Sequence, residues 1–198
     1  MAIDQVHDLQ EVFRKLLHSM SRPGSISSIQ DTAQRVDYDL SCYDATLLCA
    51  LTLLDGEVTF HILSDKNQHL TGKIAEYTLA RHAPIDEADY VIVFQNDTES
   101  DVLHALERCK NGTLVNPQQS STWIMESMHL TNDDEIKLTG PGIKNCAHLQ
   151  TGFSSAIWHA RNERTNEYPL GMDLILTDSE GHAACVPRTA KVEMTEVR

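Results

Sequence analysis

Residues that can hold an anion follow directly after a proline near the end of the chain. Pro187 cannot donate to a strand ladder, so it is expected to end the strand that precedes it. Arg188 and Thr189 come next, and a guanidinium presents a planar fork of donors that matches a carboxylate or a phosphate. Two interpretations stay open. Arg188 contacts an anionic ligand, or it forms a structural ion pair with an acid such as Asp173.

A second stretch, Gly140-Pro141-Gly142, lies at the end of a predicted strand. Such a stretch is typical of a tight turn, although it can also leave backbone N–H groups pointing at an anion. It is not a Walker A loop, because no Gly-Lys-Ser/Thr follows. It is not a dinucleotide-binding fingerprint either, because Asn145 stands where the third glycine belongs. The tight turn is the favoured interpretation.

A third stretch, Arg22-Pro23-Gly24, is expected to end the first helix. Arg22 would then stabilise the carboxyl end of that helix, where a cation is worth about 0.3–1 kcal/mol. Contact with an anionic ligand is the alternative, and helix stabilisation is favoured over it.

No catalytic group or metal site is evident from residue spacing. The ten histidines include no H-E-x-x-H, and the chain has no G-x-S-x-G nucleophile elbow. The five cysteines are odd in number and contain no C-x-x-C pair, which is typical of free thiols in a reducing compartment. The catalytic residues are therefore unknown from sequence, and no metal ligands are assigned.

Composition excludes several classes of protein. The 198 residues suit a single domain spanning 1–198, with 41% apolar and 23% charged residues as in ordinary globular proteins. A net charge of −13 makes nucleic acid an unfavourable partner. No apolar run approaches the roughly 18 residues of a membrane span, and the first residues lack the features of a signal peptide. A cytoplasmic protein without a membrane partner is expected.

Hydrophobic periodicity predicts alternating helices and strands in the first half and hairpins in the second. This alternation favours an α/β layered domain with a mixed sheet. Asp4 is expected to cap the first helix. The predicted helices cover residues 4–21, 45–54, 67–81, 99–109 and 154–166. The predicted strands cover residues 25–29, 57–63, 88–95, 121–127, 135–140, 172–177 and 183–186, with 121–127 paired antiparallel to 135–140 across a turn at 131–134.

Four stretches resemble, in order, the H subunit of bacterial carbon–phosphorus lyase, the PhnH family. They are FRKLLHSMSRPGSI, LLDGEVTFHI, KLTGPGI and PLGMDLILTDSEGHAACVPRT. The resemblance spans nearly the whole chain. It implies a three-layer αβα sandwich similar to the large domain of pyridoxal-phosphate-dependent transferases, without the cofactor.

The resemblance also implies a function. The family belongs to a complex that catabolises alkylphosphonates and forms ribose 1-alkylphosphonate 5-triphosphate from MgATP and a phosphonate, a transferase reaction. The implied partners are the G, I and J subunits, and the implied state of the isolated chain is a homodimer. An iron–sulfur cluster and S-adenosylmethionine are implied for another subunit, and no cofactor for this chain.

Within that family the chain is expected to have a mainly structural or ligand-holding role, and whether it is itself an enzyme stays open. The alternative is a freestanding protein of related fold that binds or converts a small phosphate ester. The hypothesised phosphate- or phosphonate-binding residues are Arg188, Thr189, Gly140, Gly142 and Arg22. The other residues that match the family's motifs, and are expected to be structural, are Pro23, Gly24, Pro169, Gly171, Asp173 and Pro187.

Overall fold

The structure, a computed structural model, describes residues 3–38, 40–63 and 68–195. The helices are α1 His7–Ser21, α2 Gln30–Ala33, α3 Asp44–Leu53, α4 Gln68–Thr78, α5 Glu99–Arg108 and α6 Ser155–Arg164. The strands are β1 Ile26–Ser28, β2 Thr59–Ile62, β3 Arg81–His82, β4 Tyr90–Val93, β5 Thr122–Glu126, β6 Thr131–Thr139, β7 Ala147–Gln150, β8 Asp173–Thr177, β9 His182–Val186 and β10 Lys191–Met194. A 3₁₀ turn spans Pro117–Gln119.

The main sheet has seven strands in the order β1-β9-β8-β5-β4-β2-β3. The β2, β3, β4, β5 and β8 strands run parallel, whereas β9 and β1 are antiparallel to their neighbours. This confirms the α/β class and the mixed sheet. The predicted hairpin near the end of the chain is also confirmed, as β8 paired with β9 in a register that places Ile175 opposite Cys185.

The main sheet separates two apolar cores. Along β5, Ile124 packs into one core while Trp123 and Met125 pack into the other, as the period of two in a strand requires. The first core lies against α1 to α4, and the second lies against α5, α6 and a smaller sheet. All three β5 side chains are at most 1% exposed, which is typical of a central strand in a parallel sheet.

The smaller sheet corrects the prediction for the middle of the chain. Its three strands, in the order β10-β6-β7, are antiparallel. The predicted pairing of 121–127 with 135–140 is wrong, because β5 lies between β4 and β8 whereas β6 lies in the smaller sheet. The predicted turn at 131–134 is wrong as well, because those residues form the first half of β6.

The ends of the first helix follow the predicted signals. α1 begins at His7, with Val6 at the N-cap position, which is later than the predicted start at Asp4. The Asp4 carboxylate nevertheless accepts the backbone N–H groups of Val6 and His7 at 2.9 and 3.0 Å, as a capping side chain does. The helix ends before Arg22, whose N–H donates to the His18 carbonyl oxygen. For α4, the predicted start at residue 67 lies outside the described residues. The predicted end at residue 81 is too late, because Arg81 begins β3.

Candidate functional site

A cavity of about 520 Å³ opens between α6, the loop that follows it and the segment from Arg188 into β10. We call it the Arg161 pocket. Its polar wall residues include Arg161, Asn166, Tyr168, Arg188, Thr189 and Lys191. The volume lies within the range of small-molecule sites. Three of these residues are cationic in a chain whose net charge is −13.

Helix α6 positions the residues that follow Pro187. Residues 187–190 form a tight turn in which the Ala190 N–H donates to the Pro187 carbonyl oxygen at 2.9 Å. The Arg161 guanidinium donates to the same Pro187 oxygen at 2.7 Å and to the Ala190 oxygen at 2.9 Å. Arg188 and Thr189, the two central residues of this turn, are therefore held at the pocket wall by a side chain of α6.

Arg161 is a buried cation. It is only 1% exposed, and within the described part of the chain its Nε has no hydrogen-bond partner. Burial lowers the pKa of the guanidinium to about 10, although the Asp173 carboxylate opposes that shift. The group stays protonated at neutral pH, and none of the ion pairs between described residues includes it. A buried charge without a direct counter-ion is costly, so an anion in the pocket would be favoured.

Arg188 forms an ion pair with Asp173, which is one of the two interpretations left open by the sequence. Its Nη2 lies 2.5 Å from Asp173 Oδ2, its backbone N–H donates to Oδ1 at 2.8 Å, and its Nη1 donates to the Pro117 carbonyl oxygen at 2.8 Å. The Arg188 and Asp173 side chains are 17% and 23% exposed. Any ligand contact by Arg188 would have to use its remaining N–H groups.

Four other polar groups of the pocket are free to bind a ligand. Within residues 3–38, 40–63 and 68–195, no partner is found for the hydroxyls of Thr189 and Tyr168, the Asn166 amide or the Lys191 ammonium. These groups supply hydrogen-bond donors of the kind that phosphate and phosphonate oxygens accept. Glu193, also in the wall, is paired with Lys137 at 3.3 Å.

The two hypothesised glycines pack closely against neighbouring backbone. A Cβ on Gly140 would lie 2.9 Å from the Thr189 carbonyl oxygen, and one on Gly142 would lie 2.2 Å from the Ser21 carbonyl oxygen. The Ile143 N–H donates to the Gly140 oxygen at 3.2 Å, and Gly142 has φ +83°, as in a type II turn. This geometry corresponds to the favoured tight turn.

The structure places the remaining hypothesised residue away from the pocket. Arg22 is exposed at the end of α1, beside Gly142, and neither residue lines the Arg161 pocket. The Gly140–Gly142 turn thus lies between the α1 terminus and the 187–190 turn, in contact with both. Of the five residues hypothesised to bind phosphate, Arg188 and Thr189 reach the pocket wall.

The motif residues expected to be structural lie at close contacts between elements. Gly171 has φ +130°, and a Cβ added at this position would lie 2.6 Å from Thr165 Cγ2 and 3.2 Å from Arg188 Cβ. The Gly24 carbonyl oxygen accepts the Asn132 side-chain amide at 2.8 Å. The peptide bond before Pro169 is cis.

A smaller cleft of about 160 Å³ lies at the carboxyl ends of the parallel strands. Its buried carboxylate, Glu126, accepts the N–H groups of Tyr43 and Gln95 at 2.6 and 3.0 Å. Burial raises the pKa of Glu126. Within the described residues no group of three His, Cys, Asp or Glu side chains is placed to hold a metal ion. No described helix is long and apolar enough to cross a membrane.

Comparison with known proteins decides the family. Residues 2–193 match the family model described as bacterial phosphonate metabolism protein (PhnH). The chain belongs to the PhnH family. The membership predicted from its motifs is therefore confirmed.

Two curated relatives cover almost the whole PhnH-family chain. A putative C-P lyase subunit protein HtxG from Stutzerimonas stutzeri is 31% identical over 187 residues, 93% of this chain and 86% of the relative. The alpha-D-ribose 1-methylphosphonate 5-triphosphate synthase subunit PhnH from Rhizobium meliloti (strain 1021) is 28% identical over 192 residues, 96% of this chain and 92% of the relative.

Two cationic residues of the pocket, Arg161 and Lys191, were not predicted as binding residues from the sequence of this PhnH-family chain. Arg161 follows Ile157 and Trp158 on the buried side of α6, and all three are at most 7% exposed. An arginine on the apolar side of a predicted helix was a usable signal, because such a residue is rarely buried without a specific partner. Lys191 gave no such signal, because β10 itself was not predicted.

Proposed function

We propose that this PhnH-family chain is a subunit of a carbon–phosphorus lyase complex in alkylphosphonate catabolism. Its role is to support the formation of ribose 1-alkylphosphonate 5-triphosphate from MgATP and a phosphonate. The observation that carries the proposal is the family match over residues 2–193. The names of both relatives, one a putative C-P lyase subunit and the other a synthase subunit, support it.

The proposed role is mainly structural, with partners among the G, I and J subunits and a homodimer in isolation. The described residues offer a cavity with cationic walls but no nucleophile paired with a base inside it. The transferase chemistry is therefore assigned to the assembled complex, with its iron–sulfur cluster and S-adenosylmethionine in another subunit. The five free cysteines support a cytoplasmic location.

Ligand holding is the second part of the proposal. The buried Arg161 has no direct carboxylate partner, and free donors on Thr189 and Lys191 face the same cavity. A group bearing phosphate or phosphonate would supply the missing negative charge. The pocket would then keep a substrate or product of the complex in place rather than convert it.

The fold is proposed to be a relative of the large domain of pyridoxal-phosphate-dependent transferases that does not use the cofactor. A Schiff-base lysine needs a buried or desolvated setting to act as a nucleophile. None of the six described lysines is buried. This disfavours one form of the alternative, a freestanding enzyme of the related fold that uses pyridoxal phosphate. Such an enzyme would show an absorbance band of the Schiff base after incubation with the cofactor.

Native mass spectrometry tests the main proposal. The tagged chain would be co-expressed with the G, I and J subunits of its own system, purified and weighed intact. We expect a mass that contains sister subunits in a fixed stoichiometry. A mass of only one or two copies of this chain would overturn the proposed subunit role.

A further inference from the structure

A second cavity adjoins the Arg161 pocket along α6. Its volume is about 570 Å³, and Asn162 lines both cavities. We call it the Trp158 cavity. The other described residues of its wall, none of which is Lys, Arg, Asp or Glu, are Ser155, Ala156, Trp158, His159 and Met194. The two cavities thus form one groove between α6 and β10 that is cationic at one end and carries aromatic and apolar side chains at the other.

The Trp158 ring is held in place, but its N–H group lacks an acceptor. The side chain is only 1% exposed, and its ring packs edge-on against the Phe153 ring with centroids 6.3 Å apart. Within the described part of the chain, the indole Nε1 has no hydrogen-bond partner. The second tryptophan, Trp123, shows the usual arrangement, because its Nε1 donates to Ser121 Oγ at 3.0 Å. An acceptor atom on a ligand would supply the partner that Trp158 lacks.

Met194 contributes to the same cavity from the end of β10. Its side chain is 42% exposed, although it is apolar. A methionine thioether makes favourable contacts with aromatic rings. A nucleobase has acceptor atoms at its edge and aromatic faces, so it matches both the free Trp158 N–H and the Met194 side chain.

The backbone of β10 adds donors to the groove. The Ala190 carbonyl oxygen accepts Arg161 Nη1–H at 2.9 Å. The Val192 carbonyl oxygen accepts the Asn162 amide at 2.9 Å. Since alternate residues of an antiparallel strand turn their N–H and C=O groups to the same side, those of Val192 and Met194 point away from β6. The N–H groups of Val192 and Met194 therefore face α6, where they can donate to oxygen atoms of a ligand in the groove.

We propose that the groove between α6 and β10 holds a nucleoside 5′-triphosphate, with its phosphates in the Arg161 pocket and its base in the Trp158 cavity. This inference rests on the proposed function, because it makes the ligand-holding role specific. A ribose triphosphate that has lost its base would contact the cationic end alone and leave the Trp158 N–H unpaired. The groove is therefore assigned to the nucleotide substrate and not to the base-free product.

The test is titration of the isolated full chain with ATP, ribose 5-triphosphate and inorganic tripolyphosphate, followed by calorimetry and by tryptophan fluorescence. Tripolyphosphate carries at least as much negative charge as ATP, so tighter binding of ATP has to come from its nucleoside. We expect ATP to bind at least about tenfold more tightly than either base-free ligand. Only ATP should change the emission of Trp158.

Two variants locate the base. Met194→Ala should weaken ATP binding by about threefold to tenfold and leave tripolyphosphate binding within about twofold of the wild type. Met128→Ala is the matched control, since it removes a methionine that is 71% exposed and lines neither cavity. It should leave both affinities unchanged. Trp158→Phe should abolish the emission change on ATP binding, while the emission of Trp123 reports whether the variant folds.

The contrary outcomes separate this inference from the proposed function. Equal affinities for ATP and ribose 5-triphosphate would overturn the inference and leave the ligand-holding role of the Arg161 pocket in place. Equal weakening of ATP binding by Met194→Ala and Met128→Ala would overturn it as well, whether or not Trp158→Phe folds. If none of the three ligands binds, the ligand-holding role fails together with this inference, and the native mass of the complex still decides the subunit role.

Discussion

The Arg188 backbone N–H and the Arg188 guanidinium donate to the same carboxylate, that of Asp173, at 2.8 and 2.5 Å. Asp173 begins β8 and Arg188 follows the end of β9. The pair therefore closes the open end of the hairpin, opposite the turn at residues 178–181. Since Arg188 also binds the Pro117 carbonyl oxygen, one side chain connects this hairpin to the 111–120 loop.

Removing the carboxylate charge should weaken the fold. We expect Asp173→Asn to lower the free energy of unfolding by about 1.5–3 kcal/mol, the usual range for hydrogen bonds to a charged group. Both side chains are less than a quarter exposed, so solvent screens the pair only in part. Urea denaturation followed by circular dichroism measures the change. The exposed pair Lys73–Glu76 supplies the control, since Glu76→Gln should leave the unfolding midpoint unchanged. Equal effects of the two substitutions would contradict this role of Asp173.

Two glycines should respond in opposite directions to alanine. Gly142 has φ +83° and faces the Ser21 carbonyl oxygen, so Gly142→Ala should destabilise the protein by about 2 kcal/mol or more. Gly72 lies inside α4 with open space around it, so Gly72→Ala should stabilise the protein by about 0.5–1 kcal/mol. Thermal and urea unfolding of both variants would measure this. If Gly142→Ala left the free energy of unfolding unchanged, the turn would not need a residue that favours positive φ.

Local patterns were sufficient to predict most of the elements. Val58, Phe60 and Ile62 alternate along the predicted second strand, and the observed β2 covers most of it. The Asp4 carboxylate accepts backbone N–H groups at the start of α1, a contact that the sequence could predict because it joins near neighbours in the chain. The hairpin of β8 and β9 follows from two apolar runs around a polar turn.

Long-range pairing was not readable from the same patterns. The first half of β6, Thr131 to Asp134, is polar because it lies at an exposed part of the smaller sheet, and so it resembled a turn. Its partner β7 follows after a short turn but was not predicted as a strand, and its other partner, β10, comes much later in the chain. His182 follows directly after the polar turn at residues 178–181 and lies just before the predicted strand 183–186. It begins β9 instead, with its ring half-buried against the Asp178 carboxylate.

Only part of the Arg161 pocket could be predicted from the sequence, because some of its contacts join residues that are far apart in the chain. Arg188 and Thr189 stood out as a local motif after a proline. Arg161 contributes by donating to carbonyl oxygens of Pro187 and Ala190, which lie 26 and 29 residues away in sequence. A local pattern does not encode a contact of that kind.

Protonation of Asp178 at acidic pH should lower the free energy of unfolding of the protein. Burial would raise the pKa of this carboxyl, but hydrogen bonds from the His182 backbone and ring and from the Leu130 N–H hold it below its usual range. A carboxyl with a lower pKa in the folded state stabilises the protein above its unfolded pKa, about 3.9. That contribution is lost as the pH falls through the folded pKa.

We therefore expect the free energy of unfolding of the wild type to fall between pH 5 and pH 3. In Asp178→Asn the decrease should be smaller, because the variant has already lost the carboxylate. Urea denaturation at several pH values compares the two slopes, with the exposed substitution Asp86→Asn as control. Parallel slopes for the wild type and Asp178→Asn would show that this carboxyl is not responsible.

The charge of the Arg161 pocket should govern ligand binding. Titration calorimetry of the isolated chain with ATP, methylphosphonate and a ribose 5-triphosphate should show saturable binding of at least one of them. Lys191→Glu should weaken that binding by about tenfold or more, because it replaces a free ammonium at the pocket wall with a carboxylate. The carboxylate has the same sign of charge as the ligand and repels it. Its effect should shrink as salt concentration rises, since Lys191 is exposed.

Lys144→Glu is the matched control, because it makes the same change of charge at an exposed lysine that does not line the pocket. It should leave the dissociation constant within about twofold, because its side chain is exposed and does not contact a ligand held by the residues of the pocket wall. Equal weakening by the two substitutions would assign the effect to the net charge of the chain. An absence of heat with every ligand would remove the ligand-holding role and leave the chain a purely structural subunit.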